Sequence, residues 1–131
     1  MDFIILYRSV VFVFCDFPYN SIALFGYKYM CRNIATVSQY TDDNWANQVQ
    51  LGDDNTARSL QQGCNDNASW INQNGNFNTA DHSQSGALNY ASNTQTCGNW
   101  NYVKVIQSGD SNSHTGIQTG GNNTINVTQR P

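Results

Sequence analysis

The chain has 131 residues, enough for one domain of modest size. Its formal net charge is −3 and only 11% of its residues are charged, which excludes the clustered Lys and Arg of a nucleic-acid surface. Asn, Gln, Ser, Thr and Gly prevail, so the choice lies between a disordered chain and β-structure held by stacked amides, and periodicity decides it.

Residues 1–32 differ from the rest: they hold five of the six Phe and none of the Gln. Arg8 precedes the apolar run Ser9–Cys15, and Ser21 and Ala23 set small residues at the −3 and −1 positions of a cleavage site, the outline of a secretory signal. Asp2 and Asp16 interrupt that outline, and a wrongly chosen start codon gives the same composition. The chain therefore divides into an N-terminal hydrophobic segment, 1–32, and a repeat domain, 33–131; if the segment persists, it covers one end of the repeats. Cys15, Cys31, Cys64 and Cys97 fit no metal spacing and are too sparse for a disulfide scaffold.

From Asn33 onward one pattern holds. Gln recurs at Gln39, Gln50, Gln61, Gln73, Gln84, Gln95, Gln107, Gln118 and Gln129. Asn stands six residues before each, at Asn33, Asn44, Asn55, Asn67, Asn78, Asn89, Asn101, Asn112 and Asn123. Gly follows two after Gln at Gly52, Gly63, Gly75, Gly86, Gly109 and Gly120, and one later at Gly98. Ala or a small substitute stands two after Asn, as at Ala35, Ala46, Ala57, Ser69, Ala80 and Ala91. Such a period marks an internal array. A helical coiled coil is excluded, because a Gly in every period costs about 1 kcal/mol relative to Ala and no apolar seam exists. In an extended segment, residues two, four and six apart share one face. Each unit is then a strand of about seven residues, with Asn, Ala and Gln inward and Gly turning the corner. The predicted fold is all-β, a β-solenoid whose Asn and Gln amides form ladders between rungs.

Gln spacing runs 11, 11, 12 and repeats, a 34-residue period that suggests a three-sided β-helix. The inner residues are too small to fill a triangle, whereas two sheets about 10 Å apart suit them. Two strands per rung are therefore expected, with Cys64 and Cys97 in turns on opposite edges and no bond between them.

The units Gln73–Gln84 and Gln84–Gln95, "QNGNFNTADHSQ" and "QSGALNYASNTQ", resemble the curlin repeat. The resemblance covers Asn33 to Gln129. It implies a structural subunit of curli, the secreted amyloid fibre of biofilms and adhesion, assembling end to end with itself and other curlin-type subunits after passage through outer-membrane export machinery. From composition and motifs, no enzyme activity, cofactor or nucleic-acid partner is expected. His82, His114 and Gly116 depart from the family's small or aliphatic inner residues.

The alternative is a monomeric solenoid that binds ice or a polysaccharide through its outer face. Thr36, Thr56, Thr79, Thr94, Thr115, Thr124 and Thr128 lie outward but are not expected to share one offset on one sheet. An enzyme is not expected: His82 and His114 fall on inner positions of opposite sheets, and no catalytic or phosphate-binding motif accompanies them. Asp42, Asp43, Asp53 and Asp54 belong to turns, as solvated carboxylates or as brakes on polymerisation. Trp45, Trp70, Trp100, Tyr90 and Tyr102 lie outward or in turns, as surface aromatics or as lateral contacts.

Overall fold

A computed structural model describes residues 3–4, 10–15, 21–26 and 33–130. The leader or misplaced-start reading of residues 1–32 depends mostly on residues outside that set, as does Cys31. The described residues are all β, with no helix: β1 (Phe3–Ile4), β2 (Val10–Cys15), β3 (Ser21–Gly26), β4 (Ile34–Gln39), β5 (Trp45–Leu51), β6 (Thr56–Gly63), β7 (Ala68–Asn74), β8 (Thr79–Gly86), β9 (Tyr90–Thr96), β10 (Tyr102–Ser108), β11 (Ser113–Thr119) and β12 (Thr124–Gln129). Odd-numbered strands form one sheet, in the order β1-β3-β5-β7-β9-β11, and even-numbered strands form the other, β12-β10-β8-β6-β4-β2. Each turn thus carries the chain from one sheet to the other, and two strands complete a rung.

Every neighbouring pair is parallel, and from β4 onward ladder residues stand on ladder residues: Ala57 with Ala80, Gln61 with Gln84 and Gly63 with Gly86, each 23 residues apart. Where both units are short the step is 22, as from Ala35 to Ala57. The three-sided alternative with 34-residue rungs is therefore replaced by two sheets. Its 34-residue signal comes from the longer turns after Gln61 and Gln95, which follow β6 in one sheet and β9 in the other. Cys64 and Cys97 sit in those two turns, exposed and unbonded.

The period of two along each strand builds the core. In β5, Ala46, Gln48 and Gln50 are buried and Trp45, Asn47, Val49 and Leu51 half-buried on the outer side. Among the described residues 20 buried polar side chains face 9 buried apolar ones, so transfer of apolar surface alone cannot hold the sheets together. The apolar members are Ala35, Val37, Ala46, Ala57, Ile71, Ala80, Ala91, Val103 and Val105, small enough to let the sheets close. Hydrogen bonds between buried amides must supply the rest, and each is costly if left unmade. Strands β2 and β3 continue the register, with Cys15 opposite Gln39 and Gly26 opposite Gln50, so the Gln ladders begin at β4 and β5.

The turns use two left-handed positions. The first is Gly two residues after Gln, with φ from 85° at Gly109 to 133° at Gly75. The second was not foreseen: the residue just before the ladder Asn also has positive φ, at Asp43, Asp54, Asp66, Phe77, Leu88, Trp100, Ser111 and Asn122. Gly98 departs from the expected role. Cys97 (φ 57°) and Trp100 (φ 64°) take the left-handed positions in that turn. Gly98 is needed instead for close approach, since a Cβ there would run into the carbonyl of Gly120.

Asp and Asn tolerate left-handed backbone, whereas Leu does not. Leu88, with φ 57° and 58% exposed, therefore stores strain without burying its side chain. Leu88→Asn is expected to stabilise the fold by about 0.5–1 kcal/mol, read as a higher urea midpoint at unchanged slope.

One expectation about the outer face needs correction. Thr56, Thr79 and Thr124 do share the first position of their strands in a single sheet. Tyr102 separates Thr79 from Thr124, and Ile34 follows Thr56 on the other side, so the file is broken.

Candidate functional site

The Gln side chains form two ladders, one in each sheet. In the even-numbered sheet Nε2 of Gln39 donates to Oε1 of Gln61 (2.8 Å), Gln61 to Gln84 (3.0 Å), Gln84 to Gln107 (3.0 Å) and Gln107 to Gln129 (2.8 Å). In the other, Gln50 donates to Gln73 (3.0 Å), Gln73 to Gln95 (2.9 Å) and Gln95 to Gln118 (2.9 Å). The same Nε2 also crosses the core to a carbonyl of the facing strand: Gln61 to Trp45 (2.9 Å), Gln84 to Ala68 (2.8 Å) and Gln107 to Tyr90 (2.8 Å). Each Gln therefore joins rung to rung and sheet to sheet.

The Asn residues work differently. Their Oδ1 accepts the backbone N–H of the next Asn along the stack: Asn33 from Asn55 (2.9 Å), Asn55 from Asn78 (3.0 Å) and Asn78 from Asn101 (3.1 Å). On the other edge Asn44 accepts from Asn67 (3.0 Å), Asn67 from Asn89 (3.2 Å) and Asn89 from Asn112 (3.1 Å). Nδ2 donates to a glycine carbonyl in the next rung's turn, as Asn33 to Gly52, Asn55 to Gly75 and Asn101 to Gly120, each at 2.8 Å. The Asn column thus splices the turns and the Gln columns splice the sheets.

Both ladders have direction. Gln donates toward the C-terminal rungs, and Asn Oδ1 accepts from them. At the rung built by β11 and β12, Asn112, Asn123 and Gln129 are half-buried, whereas their counterparts in inner rungs are buried. Gln118 remains buried. The inner Ile125 and Val127 of β12 are only partly covered. This rung presents Gln N–H donors, Asn carbonyl acceptors, two apolar side chains and the backbone edges of two parallel strands, all in the register of the rung beneath.

A second, non-repeating feature lies inside. At the third inner position, Val37, Ile71 and Val105 are apolar, but Gln48, Ser59, His82 and Asn93 are polar and buried. They join into one run. Gln48 Nε2 donates to Ser59 Oγ (3.0 Å), Ser59 Oγ meets Ser69 Oγ (2.7 Å) and Ser69 Oγ meets His82 Nδ1 (2.9 Å). His82 Nε2 meets Asn93 Nδ2 (2.6 Å), and Asn93 Oδ1 meets His114 Nε2 (3.2 Å). Burial first, and the neighbouring His114 second, push the His82 imidazole down to about 3. Burial also lowers His114. The two histidines do sit on inner positions of opposite sheets, and Ser69 was placed inward as a substitute for Ala, but Ser59 and Asn93 escaped sequence reading. Their only signal was a polar residue where other units carry Val or Ile.

Outside, Trp45 and Trp70 meet edge to face with centroids 4.1 Å apart, and Phe77 stacks on Trp100 at 4.3 Å in successive turns. No cluster of three metal-ligating side chains occurs among the described residues.

Fold and ladders define a class: a two-sheet parallel β-solenoid, made of strand-turn units that copy one another and cohere through buried amides. The family model of the curlin associated repeat matches residues 98–130, the units that form β10 to β12. No curated protein and no solved structure matches the chain.

Proposed function

We propose that the protein is a structural subunit of an extracellular curli-type amyloid fibre, self-assembling end to end in biofilm matrix and adhesion. The observation that carries this reading is the pair of directional ladders, which the rung of β11 and β12 repeats in register. That rung's donors, acceptors and strand edges are those that an inner rung satisfies with its neighbour. Because the ladders are directional, only a rung offering Gln carbonyls and Asn N–H groups completes it, head to tail; in this chain that rung is β4 and β5, so growth requires that β2 and β3 no longer cover it. Such a surface templates parallel, in-register addition. The partners are further copies of this chain, other curlin-type subunits and an outer-membrane export machinery, and the location is outside the cell. No enzymatic role is assigned: His82 is buried between Ser69 and Asn93, and the half-buried His114 bonds the same Asn93.

The repeat domain 33–131, freed of the covering strands β2 and β3, is expected to form fibres when held at tens of micromolar for days at neutral pH. Diffraction should show the spacings of about 4.8 Å and 10 Å between strands and sheets, and fragments of mature fibre should remove the lag. A chain that stays monomeric under these conditions and ignores seeds refutes the reading.

A further inference from the structure

The polar run from Gln48 to His114 does not serve cohesion well. Val37, Ile71 and Val105 show that an aliphatic side chain fits the same inner position, and Gln48 Oε1 stays buried without a hydrogen-bond partner. A buried polar chain that is incompletely satisfied is costlier than an apolar core. Its geometry suggests another use. Asn93 holds a histidine on each side of one amide. Its Nδ2–H faces His82 Nε2, so that nitrogen must carry a lone pair, and the His82 proton sits on Nδ1, donated to Ser69 Oγ. Its Oδ1 faces His114 Nε2, which donates. Protonating His82 sets two donors against each other. Turning the amide over relieves that clash but then presents N–H to His114, which must give up its own Nε2 proton. One amide can serve one protonated histidine and never both.

Room for this arrangement is built in. A Cβ on Gly116 would run into Asn93 Oδ1 and come within 3.0 Å of His114 Nε2, so the glycine keeps the contact open. His114 is half-buried in β11 and His82 fully buried in β8, so the run connects the surface side of the core to its middle. The groups around His82 do not compensate a charge. In register beside it are Ser59 of β6 and Val105 of β10, and β7 and β9 face it with Ser69 and Asn93. The ionisable residues of these strands other than His114, namely Arg58, Asp81, Tyr90, Tyr102 and Lys104, all occupy outer positions. On the described strands around His82 no carboxylate occupies an inner position.

We propose that His82, Asn93 and His114 form a proton-operated latch, which lets the solenoid close in neutral surroundings and opens its later rungs when both histidines take up protons. The inference concerns the single folded chain and stands whether or not that chain polymerises. The sign follows from burial. The unfolded histidine takes its proton near 6.5, and folded His82 resists until about 3. Stability is then complete above pH 6.5 and is lost as pH falls from 6.5 toward 3, by up to about tenfold in the folding constant per pH unit for this one group.

The test follows urea unfolding of the soluble full chain between pH 7.5 and 4, beside His82→Val and His114→Gln. Val copies Val105, and Gln keeps a donor for Asn93 without titrating. The wild-type midpoint should fall steeply below pH 6.5. Most of that slope should vanish in His82→Val and part of it in His114→Gln. Nitrogen shifts of the imidazoles supply a readout that needs no variant: at pH 7 His82 should carry its proton on Nδ1 and His114 on Nε2. Should His82→Val fail to fold, these shifts on wild type decide. A wild-type slope unchanged by His82→Val, or a folded His82 that titrates near 6.5, overturns the latch.

Discussion

Gln84→Ala is expected to cost about 3–6 kcal/mol, because four partners, three of them buried, lose a hydrogen bond together and an unmade buried bond costs about 1–3. Gln84 accepts from Gln61, donates to Gln107, and reaches the carbonyls of Ala68 and Asn89 at 2.8 and 3.0 Å. The side chain is wholly buried, so water does not replace what is removed. A cavity adds to the loss. Since whole domains are stable by only about 5–15 kcal/mol, this one substitution should leave the chain marginal. Gln129→Ala is the control. Gln129 is half-buried and bonds Gln107 and Ser113, so the same change there should cost about 1 kcal/mol, the ordinary net worth of a partly solvated bond. Urea unfolding measures both. Equal losses at the two sites would mean that the ladders are ornament on a fold held by something else.

What the sequence disclosed, and what it withheld, divides along physical lines. The inner positions of Asn, Ala and Gln were legible because two periods coincide: alternation along the strand and recurrence of the unit. The rung of two strands was legible from volume, because Ala80 and Ala91 cannot fill a triangular core while two close sheets need them. The second bond of each Gln was not. That Gln61 reaches Trp45 O depends on how the sheets are staggered, which no spacing within a strand reports. The left-handed residue before each Asn was hidden too, since Phe77, Leu88 and Trp100 are poor residues for that conformation. There the stacked rungs impose the backbone and the side chain bears the strain. The histidine run was the least legible. Its links span 10, 13, 11 and 21 residues, so it follows no repeat and exists only after both sheets have formed.

The turn glycines separate folding from assembly. Gly86 has φ +109°, and a Cβ there would run into the carbonyl of Gly109 in the next rung and lie 2.9 Å from Asp110 Oδ1. Gly86→Ala combines backbone strain with an immovable clash, and a loss of about 3 kcal/mol or more is expected. Gly120 has a similar backbone, φ +86°, yet the nearest atom to its Cβ would be Asn123 Nδ2 at 4.0 Å, because no described rung lies against it. Gly120→Ala should therefore cost only the strain, about 1–2 kcal/mol, and leave a folded chain. In a fibre the position changes. The next copy's turn would approach Gly120 as Gly109 approaches Gly86, and the methyl would stand in its way. Gly120→Ala is thus expected to lower the urea midpoint only by that strain, yet to extend seeds at least tenfold more slowly, which corresponds to about 1.4 kcal/mol at the growing end. Seeded growth followed by light scattering beside urea unfolding reads both quantities on one preparation. If Gly120→Ala extends seeds at the wild-type rate, the half-open rung is not where the next copy joins.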